Sequence, residues 1–225
     1  MSADVRATAA RVIGAVIGGL SLNQVLPEKL NDVGERDRAL LQQLSYGTLR
    51  QSPRLQAILK QLLDKPLRDK DRDVQGLLLC GLYQLDRPRV PDHAAVPATV
   101  DATRALKKPW AQGMTNAVLR RYLREREQLT QALDEAAAAS HPAWLFQKIL
   151  AQWPAAAAAI IDANNQQPPM TLRVNRGQAS RDDYIGSLKG LGIAAEAGCL
   201  SKHAIQLAVP IDVWDLPEFS AGRVS

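Results

Sequence analysis

Cysteine, histidine and aromatic residues are all scarce in this 225-residue chain. Two cysteines build neither a disulfide framework nor a four-thiolate zinc site. The three histidines, His93, His141 and His203, are too scattered to predict a metal cluster. Aromatics make up 4% of the residues, and only Tyr46 and Tyr83 precede Trp110. Unpaired bases stack on exposed aromatic side chains. The sequence therefore predicts that the first half meets any nucleic acid by charge and shape, without stacking. No apolar run reaches the roughly 18 residues of a membrane span. The stretch from Val12 to Leu22 follows Arg6 and Arg11 and faintly imitates a secretory signal, but it lacks a small-residue cleavage site. Val5, Ala9, Val12, Ile13, Val16, Ile17 and Leu20 fall three and four apart, as on one face of an amphipathic helix. A cytoplasmic location is expected, where free cysteines persist.

Positive charge, by contrast, is concentrated. The net charge of +5 divides into +7 for residues 1–130 (21 Lys+Arg against 14 Asp+Glu) and −2 for residues 131–225 (7 against 9). A basic first half fits a nucleic-acid partner, and it equally fits a solvated cationic face.

The periodicity predicts helix after helix through residue 126. The first runs to about Leu20 and the second from Gly34 to Arg50, with Leu40, Leu41, Leu44 and Thr48 on one stripe. Ser52-Pro53 reads as a cap followed by proline at the first helical position, with Pro66 as the stop. A helix over 69–86 is apolar nearly all round at Leu77–Tyr83, which marks the buried centre of a bundle and makes Cys80 a core residue. Pro88 and Pro91 mark a turn, Asp92 caps a helix to about Lys107, and Ala111 to Arg126 forms the last bundle helix. Beyond it, alanine-rich short helices lead to a loop over 164–169. Alternating strands follow at 170–174, 193–195 and 204–209, around a helix that Ser180 and Asp183 start as a capping box. The expected fold is mainly α, an all-helical bundle (1–130), a helical connector (131–165) and a small α/β region (166–225).

Two glycine sets resemble nucleotide loops and fail the test of following a strand and opening a helix. Gly14, Gly18 and Gly19 fall within a predicted helix, and Gly186, Gly190 and Gly192 fall at a helix end, where glycine caps. The candidate binding residues are basic. Lys107 and Lys108 end one helix, and Arg120, Arg121, Arg124 and Arg126 line the next. Glu125 neutralises Arg121 at the favourable spacing, and Glu127 partly relieves Arg124. No catalytic or metal-binding residue is assigned.

Seven strings occur together in order. They are DRALLQQLSYGTLR (37–50), GLYQL (81–85), VPDHAAV (90–96), GMTNAVLRR (113–121), HPAWL (141–145), NNQQPPMTLRVN (164–175) and LPEFSAGRVS (216–225). The chain thereby resembles the N-terminal half of the RsmB/Sun-type bacterial 16S ribosomal RNA cytosine-5 methyltransferases over essentially its whole length. The resemblance implies a NusB-like helical RNA-binding domain, then a small α/β region leading into a catalytic domain that uses S-adenosylmethionine. The charge pattern of the bundle, not the resemblance, offers Lys107, Lys108, Arg120, Arg121 and Arg124 as the RNA-binding set. The resemblance implies 16S ribosomal RNA as partner and packing of the catalytic domain on residues 131–225. It places the cofactor loop and both catalytic cysteines beyond Ser225, and Cys80 and Cys199 match neither cysteine. This chain alone is therefore expected to hold no cofactor and to be inactive. Two alternatives are a free-standing NusB-like RNA- and protein-binding factor of transcription antitermination, and a bundle that binds only protein.

Overall fold

The computed structural model describes residues 3–86 and 91–225. The predicted turn at Pro88, and the start of the string at Val90, lie outside the described residues. The chain divides into two compact units, the first ending at Asn165 and the second running Gln166–Ser225.

The first unit opens with α1 (Val5–Ile17), capped by the Asp4 carboxylate, which accepts from the Ala7 N–H at 2.8 Å. It stops short of Leu20 because Gly18 and Gly19 follow, Gly19 at a φ of +102°. An unpredicted helix, α2 (Leu22–Leu30), contains Pro27. Proline reads as a breaker, yet here it forfeits only one hydrogen bond, toward Asn23 in the first turn. Leu26 is buried, and Leu22, Val25 and Leu30 pack beside it. After α3 (Glu35–Arg50), α4 (Ser52–Leu62) begins with Ser52 already helical, so Ser52 is not the cap the sequence predicts. The predicted helix over 69–86 divides into a 3₁₀ turn, Asp69–Asp71, and α5 (Arg72–Leu85). The unit's bundle closes with α6 (Asp92–Ala105) and α7 (Ala111–Gln131). Asp92 is the first residue of α6 and Pro91 its cap; α7 runs five residues past Arg126.

Eleven of the fourteen residues of α5 are buried, which puts this helix at the centre, against α1, α3, α4, α6 and α7. Its approach to α1 is set by glycine. A Cβ on Gly76 would stand 2.3 Å from the Ala10 carbonyl oxygen, and one on Gly14 2.6 Å from that of Arg72. Cys80 is buried as expected, and that burial pushes its thiol up to about 12. Asp86, one residue past α5, ties three helices together. Its carboxylate accepts from Arg54 of α4 and from the Tyr122 hydroxyl of α7, and Arg126 stands 3.8 Å away.

Three short helices, α8 (Glu135–Ala138), α9 (Ala143–Gln152) and α10 (Ala157–Asn165), complete the unit. Asn164 and Asn165 are the end of α10 rather than loop. His141 is buried among them. Its Nδ1 donates to the Ala139 carbonyl at 2.7 Å, leaving Nε2 to accept from Asn164 at 3.2 Å. It is a structural histidine.

The second unit is a three-stranded antiparallel sheet of order β1-β3-β2, built from β1 (Thr171–Arg173), α11 (Arg181–Gly190), β2 (Ala195–Ala197) and β3 (Ala204–Leu207). Leu172 opposes Ile205, and Ala195 opposes Leu207. The strand β2 lies two residues later than predicted. Placing β3 between β1 and β2 makes a split β-α-β unit, with α11 as its crossover. Tyr184 and Leu188 of α11 are buried with Leu172, Ile205 and Leu207. Ser180 accepts from the Asp183 N–H at 3.1 Å, the predicted N-terminal cap. On the other side of β1, Arg173 exchanges two hydrogen bonds with Ser225, at 2.8 and 3.0 Å. The chain's last residues thus flank β1 on the side away from β3.

Candidate nucleic-acid interface

The turn between α6 and α7 carries the first two candidates, and they differ in kind. After α6, the Lys108 N–H bonds the Thr103 carbonyl and the Lys107 N–H bonds that of Arg104, both at 2.9 Å. This is a Schellman stop, and Lys107 fills its left-handed position at a φ of +60°. The same stop after α11 uses Gly192, at +75°. Lys107 therefore holds an exposed charge in a conformation that favours glycine. Lys107→Gly should raise the stability of the chain by about 0.5–1 kcal/mol. A urea midpoint that stays put or falls would refute this account of the turn.

Lys108 points inward. Its Nζ donates to Asp71 Oδ1 at 2.6 Å and to the Lys70 carbonyl at 3.2 Å, and Asp73 lies 3.7 Å away. The hydrogen bond to Asp71 holds the ammonium pKa above its ordinary value. Lys108 thus staples the start of α7 to the 3₁₀ turn, and its charge is already matched.

The arginines of α7 divide similarly. Arg120 and Arg124 are exposed, one turn apart, and neither has an ion-pair partner among the described residues. Arg121 pairs with Glu125 at 2.8 Å, as its spacing predicts. Glu127 makes no ion pair with Arg124. Arg126 does not line the outer face with the others. It donates to the Leu85 carbonyl and lies 5.2 Å from the centre of the Tyr122 ring, in the Asp86 cluster. There, burial first and Asp86 second push the Tyr122 phenol up to about 12. Arg120 sits about 14 Å along α7 from Ala111 at 1.5 Å per residue. The five candidates therefore form two groups, one at the α6–α7 turn and one about two and a half to three and a half turns down α7, with Lys107, Arg120 and Arg124 the three that keep unmatched charge.

The expectation that the bundle offers no aromatic platform is overturned. Trp110 is 55% exposed and Tyr46 44%. Composition counts aromatics without saying which are buried, and here the one tryptophan of the bundle is outside. Trp110 shares a cleft with Lys65, Arg68 and Lys70, three cations outside the predicted basic set. The signal available was three cations within six residues beside a proline, in the connection after α4.

Of the two glycine sets, Gly14 is spent on helix packing, Gly190 ends α11 and Gly192 forms its stop. Among the described residues no group of three or more His, Cys, Asp or Glu side chains is placed to hold a metal, and no helix is long and apolar enough to cross a membrane.

Comparison with known proteins agrees with this architecture. The NusB family model matches residues 3–124, and the model described as Methyltr_RsmF/B-like, ferredoxin-like domain matches residues 141–214. The chain is 49% identical over 223 residues to ribosomal RNA small subunit methyltransferase B of Pseudomonas putida. The match covers 98% of this chain and 51% of that protein. Identity is 47% to the protein of the same name from Pseudomonas syringae pv. tomato, again over 98% of this chain, and covers 50% of that protein. The chain thus spans about half the length of these curated relatives. A solved structure, "Crystal Structure of PH0851", shares the fold at a TM-score of 0.70 and 13% identity, covering all of this chain and 53% of that one. The bundle is the region the NusB model matches and the split β-α-β sheet lies in the region the ferredoxin-like model matches: the chain belongs to the NusB family through residues 3–124, and residues 141–214 are similar to the ferredoxin-like domain of RsmF/B-like methyltransferases.

Proposed function

We propose that this chain is the RNA-docking N-terminal portion of a cytoplasmic 16S ribosomal RNA cytosine-5 methyltransferase, with the S-adenosylmethionine-dependent chemistry carried by residues outside it. Near-half identity to ribosomal RNA methyltransferases over almost the whole chain carries the reading. The exposed, unmatched charges of Lys107, Arg120 and Arg124 support it, because phosphates complete a cationic face that no carboxylate has neutralised. Lys108 and Arg121 contribute by fixing the α6–α7 turn and the α7 surface. Residues 1–130 act as the docking domain, 131–165 as connector and 166–225 as the region next to the catalytic domain. That domain packs on residues 131–225, where Trp144, Trp153 and Trp214 stand exposed. A free-standing antitermination factor would leave the match at 141–214 without a role.

The test is binding of this chain to a small-subunit ribosomal RNA hairpin across a salt series. Arg120→Glu/Arg124→Glu should weaken binding at least tenfold at low salt, and the dependence of log K on log salt should flatten by roughly two, about one for each lost phosphate contact. Absence of binding at 50 mM salt by a folded chain, or identical curves for the double variant, would show that recognition lies elsewhere.

A further inference from the structure

The cleft beside Trp110 is preformed. One wall is the loop after α4, from which Leu67 packs on the bundle core while Lys65, Arg68 and Lys70 line the opening. The other wall is Trp110, held at the α6–α7 turn by the Lys108 staple to Asp71 and to the Lys70 carbonyl. The cleft has a volume of about 420 Å³, within the roughly 300–1,000 Å³ of small-ligand clefts and roomy for one nucleobase. Its acids are already engaged. Asp71 is held by Lys108 at 2.6 Å, and the neighbouring Asp69 by Arg72 at 2.9 Å. Lys65, Arg68 and Lys70 have no ion-pair partner among the described residues. An exposed indole ringed by three unmatched cations fits a polyanion whose every unit carries both a flat π-face and a charge.

We infer that an unpaired RNA base stacks on Trp110 while the phosphates on either side of it meet Lys65, Arg68 and Lys70. This rests on the reading that the bundle meets RNA, and adds that it takes a single-stranded segment at a place separate from the Arg120/Arg124 face. A duplex cannot use the indole, because its bases are stacked on one another. Lys108 is a positioning residue here: it sets the distance between the two walls and does not touch the RNA.

The experiment uses the full chain with Trp144, Trp153 and Trp214 replaced by phenylalanine, all three being exposed positions. The remaining emission then reports Trp110 alone. Titration with a single-stranded ribosomal RNA oligonucleotide should quench this emission, whereas a duplex of equal length should bind without quenching. Trp110→Ala in the otherwise native chain should weaken single-strand binding about tenfold, and Trp110→Phe should restore most of it. Lys65→Gln/Arg68→Gln should flatten the single-strand salt dependence by about 1.4, two contacts at about 0.7 each. If RNA binds by anisotropy while Trp110 emission and Trp110→Ala affinity stay unchanged, the stacking inference fails and the docking reading stands. If no RNA binds at low salt, both fail.

Discussion

Asp86→Ala should lower the stability of the bundle by about 3 kcal/mol, the largest single-charge effect in the first unit. The Asp86 side chain is 11% exposed and serves Arg54, Tyr122 and Arg126 together. Removing it strands a guanidinium that is only 21% exposed, leaves a buried phenol without its acceptor, and frees Arg126 from its carboxylate. Exposed ion pairs contribute little, and the Lys29–Asp32 pair on the surface at 2.8 Å sets the comparison: Asp32→Ala should cost less than about 0.5 kcal/mol. The difference arises from solvent, because water replaces the partner of Lys29 and reaches Arg54 poorly. Urea unfolding followed by the helical circular-dichroism signal measures both. A loss below about 1 kcal/mol for Asp86→Ala would show that the cluster is decorative and that the apolar core alone ties α4, α5 and α7 together.

Gly76→Ala should cost about 2–3 kcal/mol although alanine is the better helix former by about 1 kcal/mol. The new methyl would sit 2.3 Å from the Ala10 carbonyl oxygen and 3.0 Å from the Gly14 nitrogen, both main-chain atoms of α1 that cannot swing aside. The two helices must part, and the surrounding core loosens with them. Gly113 gives the internal control. It also lies within a helix, is exposed, and a Cβ there meets nothing within 4 Å. Gly113→Ala should stabilise by about 0.5–1 kcal/mol. Opposite signs for one chemical change, at two helical glycines, would establish that backbone approach and not helix propensity dominates at the α1–α5 seam. Equal signs would reject that account.

Much of the bundle is legible in the sequence because its helices are long and amphipathic. Of the stripe Leu40, Leu41, Leu44 and Thr48, all but the partly exposed Leu40 are buried, and so is the all-round apolar centre of α5. What escapes is local. Pro27 hides α2, since a sequence cannot show that its lost hydrogen bond falls near the helix start. The strand β2 shifts by two residues because a three-residue strand carries too little alternation to fix its position. The candidate site is less legible still. Periodicity places Arg120 and Arg124 outward, but it cannot tell that Arg126 swings back to Leu85 and Asp86. Nor can it tell that Lys108 reaches 37 residues back along the chain to Asp71 while its neighbour Lys107 stays free. Side-chain partners that are distant in sequence decide which charges remain available, and only the folded chain records them.

The Gly14–Gly76 seam also bears on how the chain is made. The helix α1 leaves the ribosome well before α5, the helix it packs against, whose centre lies 62 residues later. At bacterial-scale synthesis rates of about 5–20 residues per second, that interval is roughly 3–12 s. Throughout it, Val5, Val12 and Ile13 have no lasting place to hide. Synthesis speed between α1 and α5, rather than the final stability of the bundle, therefore sets how long the nascent chain is exposed to aggregation and to chaperone capture.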